Sequence, residues 1–460
     1  MERQTTFIHL GDLEDLIPEN YILRKIDRSV DFSFFNRMVA GCYSSDTRGR
    51  PPVSPEKVLR LLLIAYFYDL SIRAVCREAR MHAGYQWFCG FISASEVPDH
   101  STISRLKNEH WAQLGASLWV ETLNKVVDRC IEVGLVSGKH LATDGTSVRA
   151  DASITSYELL QPSRTVEEFA AELETELSIV KEQADESSPS ARRGEKDFRG
   201  QKIKNSTHRS TTDPDALLYR KSKGQESQPR YIGQDTIDLK SRVILATGMY
   251  SAKTSSETKA ALEQLDRIQD RFALKTATLC ADKLYGSTTM LKEMEQRTVT
   301  LHAPLLAGDD LEPLPVYQRA AHKLSLFRKR KEKIHGITLR NNQRRVQKTK
   351  AFVCSQRLRV RIEHTFAEAK EHHGLRRSRY RTLSKQQEQV NLTAMVQNLK
   401  RLVSFIRRSR PAAVVLAASM TKSYRLLASL RLLIPVFQSE IRLNYVLKIR
   451  PSFLALYPTI

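Results

Sequence analysis

The sequence predicts an all-α, helix-turn-helix-like N-terminal region followed by an α/β domain, a mixed sheet flanked by helices. Three observations predict it. Up to Gly134 the apolar residues recur at helical spacing between capping signals. Beyond Lys139, short strand-like runs alternate with helical ones in the order β, ββ, α, β, α, β, α, the pattern of a sheet with helices packed on it. With 460 residues, 41% of them hydrophobic, the chain has enough apolar surface for two or three domains with real cores.

In chain order, "RGRPPVSPEK" (48–57) is a turn-rich break, and Ser54-Pro55 opens a helix that runs into "EKVLRLLLIAYFYDL". "SIRAVCREARMH" spaces Ile72, Val75 and Ala79 as a helix does. "VPDHSTISRLKNEHW" is a capped start, with Asp99 or Ser101 as the cap and Arg105 and Lys107 on the helix. Short helices joined by tight turns, basic near one start, resemble a helix-turn-helix module, in which Arg105 and Lys107 are expected on DNA; the same pattern equally reads as a small helical bundle with no such role. A long helix over roughly 111–133 ends at Gly134. "KHLATD" is then a strand that stops at Asp144, and "YIGQDTIDLK" and "RVILATGMY" form a hairpin. "SETKAALEQLDRIQDRF" is a helix, "TATLCAD" a strand ending at Asp282, "STTMLKEMEQR" a helix and "TVTLHAP" a last strand. "RLRVRIEHTFAEAKEHHG" is a helix closed by Gly374.

These elements divide the chain into a helical DNA-binding region (1–134), a sheet domain (135–408) and a C-terminal extension (409–460) of no assigned role. The sheet domain carries insertions at about 152–230 and 305–352. The first begins with an acidic helical stretch, "VEEFAAELETELSIVKEQADE", and turns basic. The second contains "RAAHKLSLFRKRKEKIHGITLRNNQRRVQKTK", too cationic for an ordinary solvated face, and both insertions are expected to be partly flexible until an anion orders them.

A formal net charge of +22, spread along the chain, favours a polyanionic partner, most simply nucleic acid. The six cysteines are scattered with no CxxC pair, which argues against a zinc site or disulfide framework and fits a reducing compartment. The N-terminus lacks the apolar core of a secretion signal. Lys422, Arg425 and Arg431 interrupt the most apolar stretch, so no membrane span is expected.

Two strand ends carry Asp144 and Asp282, and sites in α/β sheets form in the crevice beyond strand ends. Two neighbouring carboxylates repel unless a cation joins them, and an all-oxygen set favours Mg²⁺ or Mn²⁺. Either aspartate also reads as an ordinary turn cap. On the last helix, with Glu363 at zero, Arg359 falls near about −40°, Lys370 near −20° and Gln356 near +20°. These four share a face beside the packing stripe Leu358, Ile362, Phe366 and Ala369. A carboxylate flanked by cations is equally the pattern of a surface salt-bridge ladder.

Taken together, "TDGTSVRADAS", "STTDPDALLYRKSKG", "ADKLYGS", "RVRIEHTFAEAKEHHGLRRSRYRT" and "QVNLTAMVQNLKRL" resemble the DDE transposases of bacterial insertion sequences. More narrowly they resemble the group whose glutamate helix carries a Tyr-x2-Arg-x3-Glu-x6-Lys signature, and the N-terminal helices resemble that group's N-terminal domain. The resemblance covers roughly residues 8–408. It implies a ribonuclease-H-like catalytic domain with Asp144, Asp282 and Glu363 as catalytic and metal-binding carboxylates. It further implies two divalent ions, Mg²⁺ or Mn²⁺, and a metal-dependent cut at the element's ends followed by strand transfer. The implied partners are double-stranded DNA, both terminal inverted repeats and target, and a second copy of the chain in a synaptic complex. A bacterial cytoplasmic, nucleoid-associated mobile-element protein follows. Arg359 and Lys370 take the signature's Arg and Lys places, where they hold backbone phosphates, and Arg376, Arg377 and Arg379 track DNA beyond them. Gln356 stands in the signature's Tyr place, which implies a changed phosphate or base contact. Leu284 replaces a usual Gly after "DK", which implies an altered turn if that position needs positive φ. The alternatives are a nuclease on the same fold, which cuts without joining, and a catalytically decayed transposase that only binds DNA.

Overall fold

The structure, a computed structural model, describes residues 13–43, 53–160, 203–220, 226–252, 256–306, 308, 310–314 and 324–431. The acidic stretch expected as a helix within 161–202 lies outside the described residues. Two compact units are present, Met1–Phe405 and Ile406–Ile460.

The first unit opens with short helices α1 (Leu13–Leu16), α2 (Ile22–Asp27) and α3 (Phe34–Val39). Helix α4 (Pro55–Phe67) is the centre of this region, with Pro55 in its first turn and a run from Leu61 to Tyr66 wholly buried. Each such leucine contributes about 1.5–3 kcal/mol by leaving water, so α4 is held by packing on every side. Asp69 at φ 53° turns the chain into α5 (Ile72–Met81), where Ser71 caps Ala74 N and Val75, Cys76 and Ala79 face inward. Next come α6 (Ala83–Cys89), stopped by left-handed Gly90, and α7 (His100–Arg105), capped by Asp99 rather than Ser101. The helix expected from 111 starts later, as α8 (Ser117–Glu132). Trp111 instead ends a π-helical turn and packs edge-on against Phe35, with ring centroids 5.2 Å apart.

A six-stranded sheet follows, with β1 (His140–Arg149) near its middle. A small two-stranded ribbon, β2 (Tyr157–Leu159) with β3 (His208–Ser210), lies apart from it. On one side β1 pairs antiparallel with β5 (Gln228–Asp238), whose far edge takes β6 (Ile244–Ser251) and the short β4 (Leu217–Tyr219). On its other side β1 pairs in parallel with β7 (Thr278–Cys280), and β7 with β8 (Thr300–His302). Three antiparallel strands followed by two parallel ones make the ribonuclease-H-like order β6-β5-β1-β7-β8.

Helices α9 (Ser256–Phe272), α10 (Thr288–Gln296), α11 (Leu324–Gln347), α12 (Lys350–His372) and α13 (Leu383–Arg431) complete the described chain. The basic second insertion is not a loose segment over 324–347; it is the regular helix α11. Gln343 ties α11 to the sheet by donating to the Leu301 and Ala303 carbonyls at 2.9 and 2.8 Å. Arg340 and Arg344 share Glu312, while Arg328, Lys329, Lys331 and Lys333 remain exposed.

The N-terminal helices pack on the sheet domain through specific polar bonds. His373 Nδ1 meets the Tyr66 carbonyl at 2.8 Å. Arg379 donates to the Leu70 carbonyl at 2.8 Å and to Asp69 at 2.5 Å, with its guanidinium over the Tyr66 ring. Lys107 pairs with Glu388 and lies over the Tyr380 ring. Among the described residues no helix is long and apolar enough to cross a membrane.

Candidate active site

Asp144 does not end a strand: β1 runs five residues further, to Arg149. What ends is its parallel partner. The β1–β7 ladder stops at Ala142–Cys280, so Asp144 and Asp282 each stand two residues beyond the last parallel pair. The antiparallel ladder with β5 continues through Asp144–Asp235 to Arg149–Arg230. One edge of β1 thus holds Asp144 rigid while the other leaves it open, which is stiffer support than a strand terminus gives.

Asp282 caps a turn of 3₁₀-helix at Lys283–Tyr285, accepting from Leu284 N at 2.8 Å. Leu284 sits in that turn and is not among the positive-φ residues, so the position has no need of glycine. Tyr285 is wholly buried and its hydroxyl bonds the Gln234 side chain, whose Nε2 also donates to Thr143 Oγ1 at 2.7 Å. Thr143, Gln234, Thr236, Gln264 and Tyr285 form one buried polar network under the site. It couples the Asp144 strand to the Asp282 turn, and sequence periodicity gives no sign of it.

Of the four residues expected on one face of the last helix, α12 brings Arg359 and Lys370 to β1 with Glu363 bonded to Arg359, and turns Gln356 elsewhere. Arg359 bonds Asp144 Oδ2 at 3.2 Å and Glu363 at 2.7 Å, bridging two carboxylates 219 positions apart in the chain. Lys370 Nζ reaches Thr146 Oγ1 at 2.6 Å, further along β1. Gln356 points the other way, into the protein: its Nε2 donates to the His302 carbonyl at 2.5 Å and to the Ala281 carbonyl at 3.2 Å. The signature's Tyr place is therefore filled here by a strut that fixes α12 on the ends of β7 and β8. Gln356→Ala is expected to leave the Ala281 carbonyl without its side-chain donor and to cost about 1–3 kcal/mol, read as a lower urea midpoint. An unchanged midpoint would remove the strut from the account.

The electrostatics mark the same place. Burial, then the charges of Asp282 and Glu363, push the Asp144 carboxyl up to about 6, against opposing pulls from Gly145 N and Arg359. Asp235, buried opposite Asp144, is likewise raised to about 6 by burial, with Thr247 donating to it. Among the described residues, no three His, Cys, Asp or Glu side chains close into a ready-made metal cage. The carboxylates converge in charge, and the Arg359 guanidinium bonds two of them. The donor set still fits a hard cation: it is all oxygen, partly buried, and carries more negative charge than Arg359 alone offsets.

The residues expected on DNA separate into two groups. Arg105 is exposed, and Arg376 and Arg377 are 65% and 61% exposed, paired with Glu371 and Asp151 at the surface. Their segment bridges the last residue of β1 in parallel: Arg149 N donates to the Arg376 carbonyl, and Ser378 N to the Arg149 carbonyl. Lys107 and Arg379, by contrast, are 7% and 17% exposed, with their cationic heads bonded to Glu388, Tyr380, Asp69 and Leu70. Both hold the N-terminal helices on the sheet domain instead of facing a ligand, because each found an internal acidic partner that charge counting does not reveal. Glu257, on the first turn of α9, was not singled out by the sequence; burial, then the charges of Asp144 and Asp282, raise its carboxyl.

Comparison with known proteins adds two matches along the chain. A family model described as "Transposase domain (DUF772)" matches residues 11–109, and one described as "Transposase DDE domain" matches residues 138–399. No curated protein matches the chain. Two solved structures align at 9% identity with a TM-score of 0.17: "Mos1 transposase paired-end complex with left transposon end" and "Crystal structure of a pre-cleavage Mos1 transpososome". The first alignment covers 70% of this chain and 86% of that one, the second 84% and 98%.

Proposed function

The chain belongs to the DDE-domain transposases, which cleave DNA and transfer strands with divalent metal, and we propose that Asp144, Asp282 and Glu363 are the carboxylates with which it does so. The observation that carries this reading is the Arg359 bridge between Asp144 and Glu363, beside an Asp282 whose charge Asp144 feels. Asp144, at the open edge of β1, is thus tied through Arg359 to Glu363 and by charge to Asp282, two acidic residues far from it in the chain.

Asp144, Asp282 and Glu363 would hold Mg²⁺ or Mn²⁺, two ions by the logic of phosphoryl transfer at paired carboxylates. When bound, such cations offset the charge of a phosphodiester and make water or a 3′-hydroxyl a better nucleophile. The chain's own groups do the rest. β1 and its antiparallel ladder fix Asp144. The Tyr285–Gln234–Thr143 network fixes the Asp282 turn against it. Arg359 offsets two carboxylates in the absence of other cations, and with Lys370 it supplies positive charge to a phosphate lying along β1. In cleavage, water attacks phosphorus and the 3′-oxygen leaves as a hydroxyl. In transfer, that hydroxyl attacks a target phosphorus and expels a second 3′-oxygen.

The DNA is the ends of the chain's own insertion sequence and then a target duplex. Arg376, Arg377, Arg105 and the exposed basic turns of α11 lie on its path. Joining two ends calls for two copies of the chain in one synaptic complex, acting in the bacterial cytoplasm at the nucleoid. The test uses purified protein, DNA carrying its element's ends and a target plasmid, with Mg²⁺ or with EDTA. The expected result is 3′-hydroxyl ends joined to the plasmid in Mg²⁺ only, and none with Asp282→Ala. Cutting without joining would make it a nuclease of the same fold. Unaltered cleavage by Asp282→Ala would refute the site.

A further inference from the structure

We propose that Glu257 is a fourth carboxylate of this site, holding divalent cation together with Asp144 and Asp282. The inference rests on the site reading above and adds a residue that the three-carboxylate signature does not contain.

Side chains alternate across β1, so Thr143 and Gly145 face one side of the sheet and Asp144 the other. Helix α12 covers the Asp144 side, through Arg359. Helix α9 covers the opposite side, where Gln264 bonds Thr236 and the Gln234 carbonyl. Glu257 on the first turn of α9 therefore comes to the open edge from the face opposite Asp144. Gly145 shows how close it comes. A Cβ there would stand 3.1 Å from Glu257 Cδ and 3.3 Å from Oε2, next in sequence to Asp144. The glycine of "DGT" keeps that space clear.

Glu257 also lacks what the other acidic groups have. Glu363 has Arg359, and Asp144 has Arg359 and Gly145 N. No described residue donates a hydrogen bond or ion pair to Glu257, although it is half-buried. Burial, then the charges of Asp144 and Asp282, push its carboxyl up, as expected of an acid held against like charges. A bound cation would offset all three at once.

A carboxylate on a helix's first turn has an ordinary explanation too, since it favours the helix dipole. The two roles differ in sign. A dipole partner stabilises the metal-free protein, so its removal lowers the melting temperature. A carboxylate crowded by like charges does the reverse, and its removal also weakens metal binding.

The test is Mn²⁺ binding to the full chain without DNA, by calorimetry and by the Mn²⁺ electron paramagnetic resonance signal, beside melting in EDTA. Glu257→Gln is expected to weaken Mn²⁺ binding at least tenfold with an unchanged or higher melting temperature. Glu263→Gln, an exposed position on the same helix, is expected to match wild type. Glu257→Asp keeps the charge but withdraws it by one methylene, and is expected to bind Mn²⁺ more weakly than wild type, a second measure should Glu257→Gln fold poorly. If Asp144→Asn weakens binding while both Glu257 variants stay within twofold of wild type, the fourth carboxylate is wrong and the three-carboxylate site stands. If Asp144→Asn itself leaves Mn²⁺ binding unchanged, the site reading fails as well.

Discussion

Asp144→Asn is expected to lower end cleavage by roughly three orders of magnitude or more, to leave binding of end DNA intact, and to make the metal-free protein more stable. The activity loss follows from removing a carboxylate that no other group on the open edge of β1 can replace. Asparagine keeps the oxygen that accepts from Gly145 N, so the local backbone is preserved. The stability gain follows from the proton balance. Burial first, then Asp282 and Glu363, raise this carboxyl from 3.8 to about 6 in the folded chain. The folded state thus binds the proton more tightly than the unfolded state does. The stability this group contributes is full below the unfolded value and is lost as pH rises from 3.8 through about 6. That difference corresponds to at most about 3 kcal/mol, and the side chain is only 17% exposed, so screening removes little of it. In EDTA, wild-type melting should fall across this window relative to the variant. A variant that cuts at the wild-type rate in Mg²⁺, or that melts well below wild type at pH 7.5, would contradict the account.

The sequence shows much of this site because two periodicities carry it. Four residues of α12 fall on one face by the helical repeat alone, and of these the structure brings Arg359 and Lys370 to β1, with Glu363 bonded to Arg359. The change from helical to strand spacing near Lys139 likewise marks where the sheet begins. What stays hidden is pairing. That β1 continues past Asp144 depends on its register with β5, a partner about ninety residues away. Lys107 and Arg379 look like DNA contacts until Glu388 and Asp69 are seen beside them. Gln356 reads as a lost tyrosine and is a bond to backbone carbonyls at two strand ends. Glu257 sits in an unremarkable amphipathic helix, and only the Gly145 contact distinguishes it. Residue type and spacing determine faces; partners across the fold determine what a charge is used for.

Gly286→Ala is expected to be the most destabilising single methyl group the chain can receive near this site. Gly286 has φ −78° and ψ 29°, a conformation any residue adopts, so backbone strain is not the reason. Space is. A Cβ there would fall 1.8 Å from the Pro304 carbonyl oxygen, 2.8 Å from its carbon and 2.9 Å from Leu305 Cα. All three are backbone atoms, so no side chain can swing aside. The overlap can be relieved only by separating the 283–286 turn from the segment after β8, which Leu306 N joins by a bond to the Gly286 carbonyl at 3.1 Å. Moving the turn pulls Tyr285 from Gln234 and shifts Asp282 away from Asp144. The cost should exceed about 3 kcal/mol, the upper range for overpacking, and cleavage should fall together with stability. Gly308→Ala is the control on the same stretch, since nothing lies within 4 Å of its Cβ position; surface changes of that kind stay within about 0.5 kcal/mol. Apparent urea midpoints of the two variants, beside their Mg²⁺-dependent cleavage rates, decide the matter. If Gly286→Ala unfolds at the wild-type midpoint and still cuts, the turn is not clamped as described, and the rigid placement of Asp282 loses its physical cause.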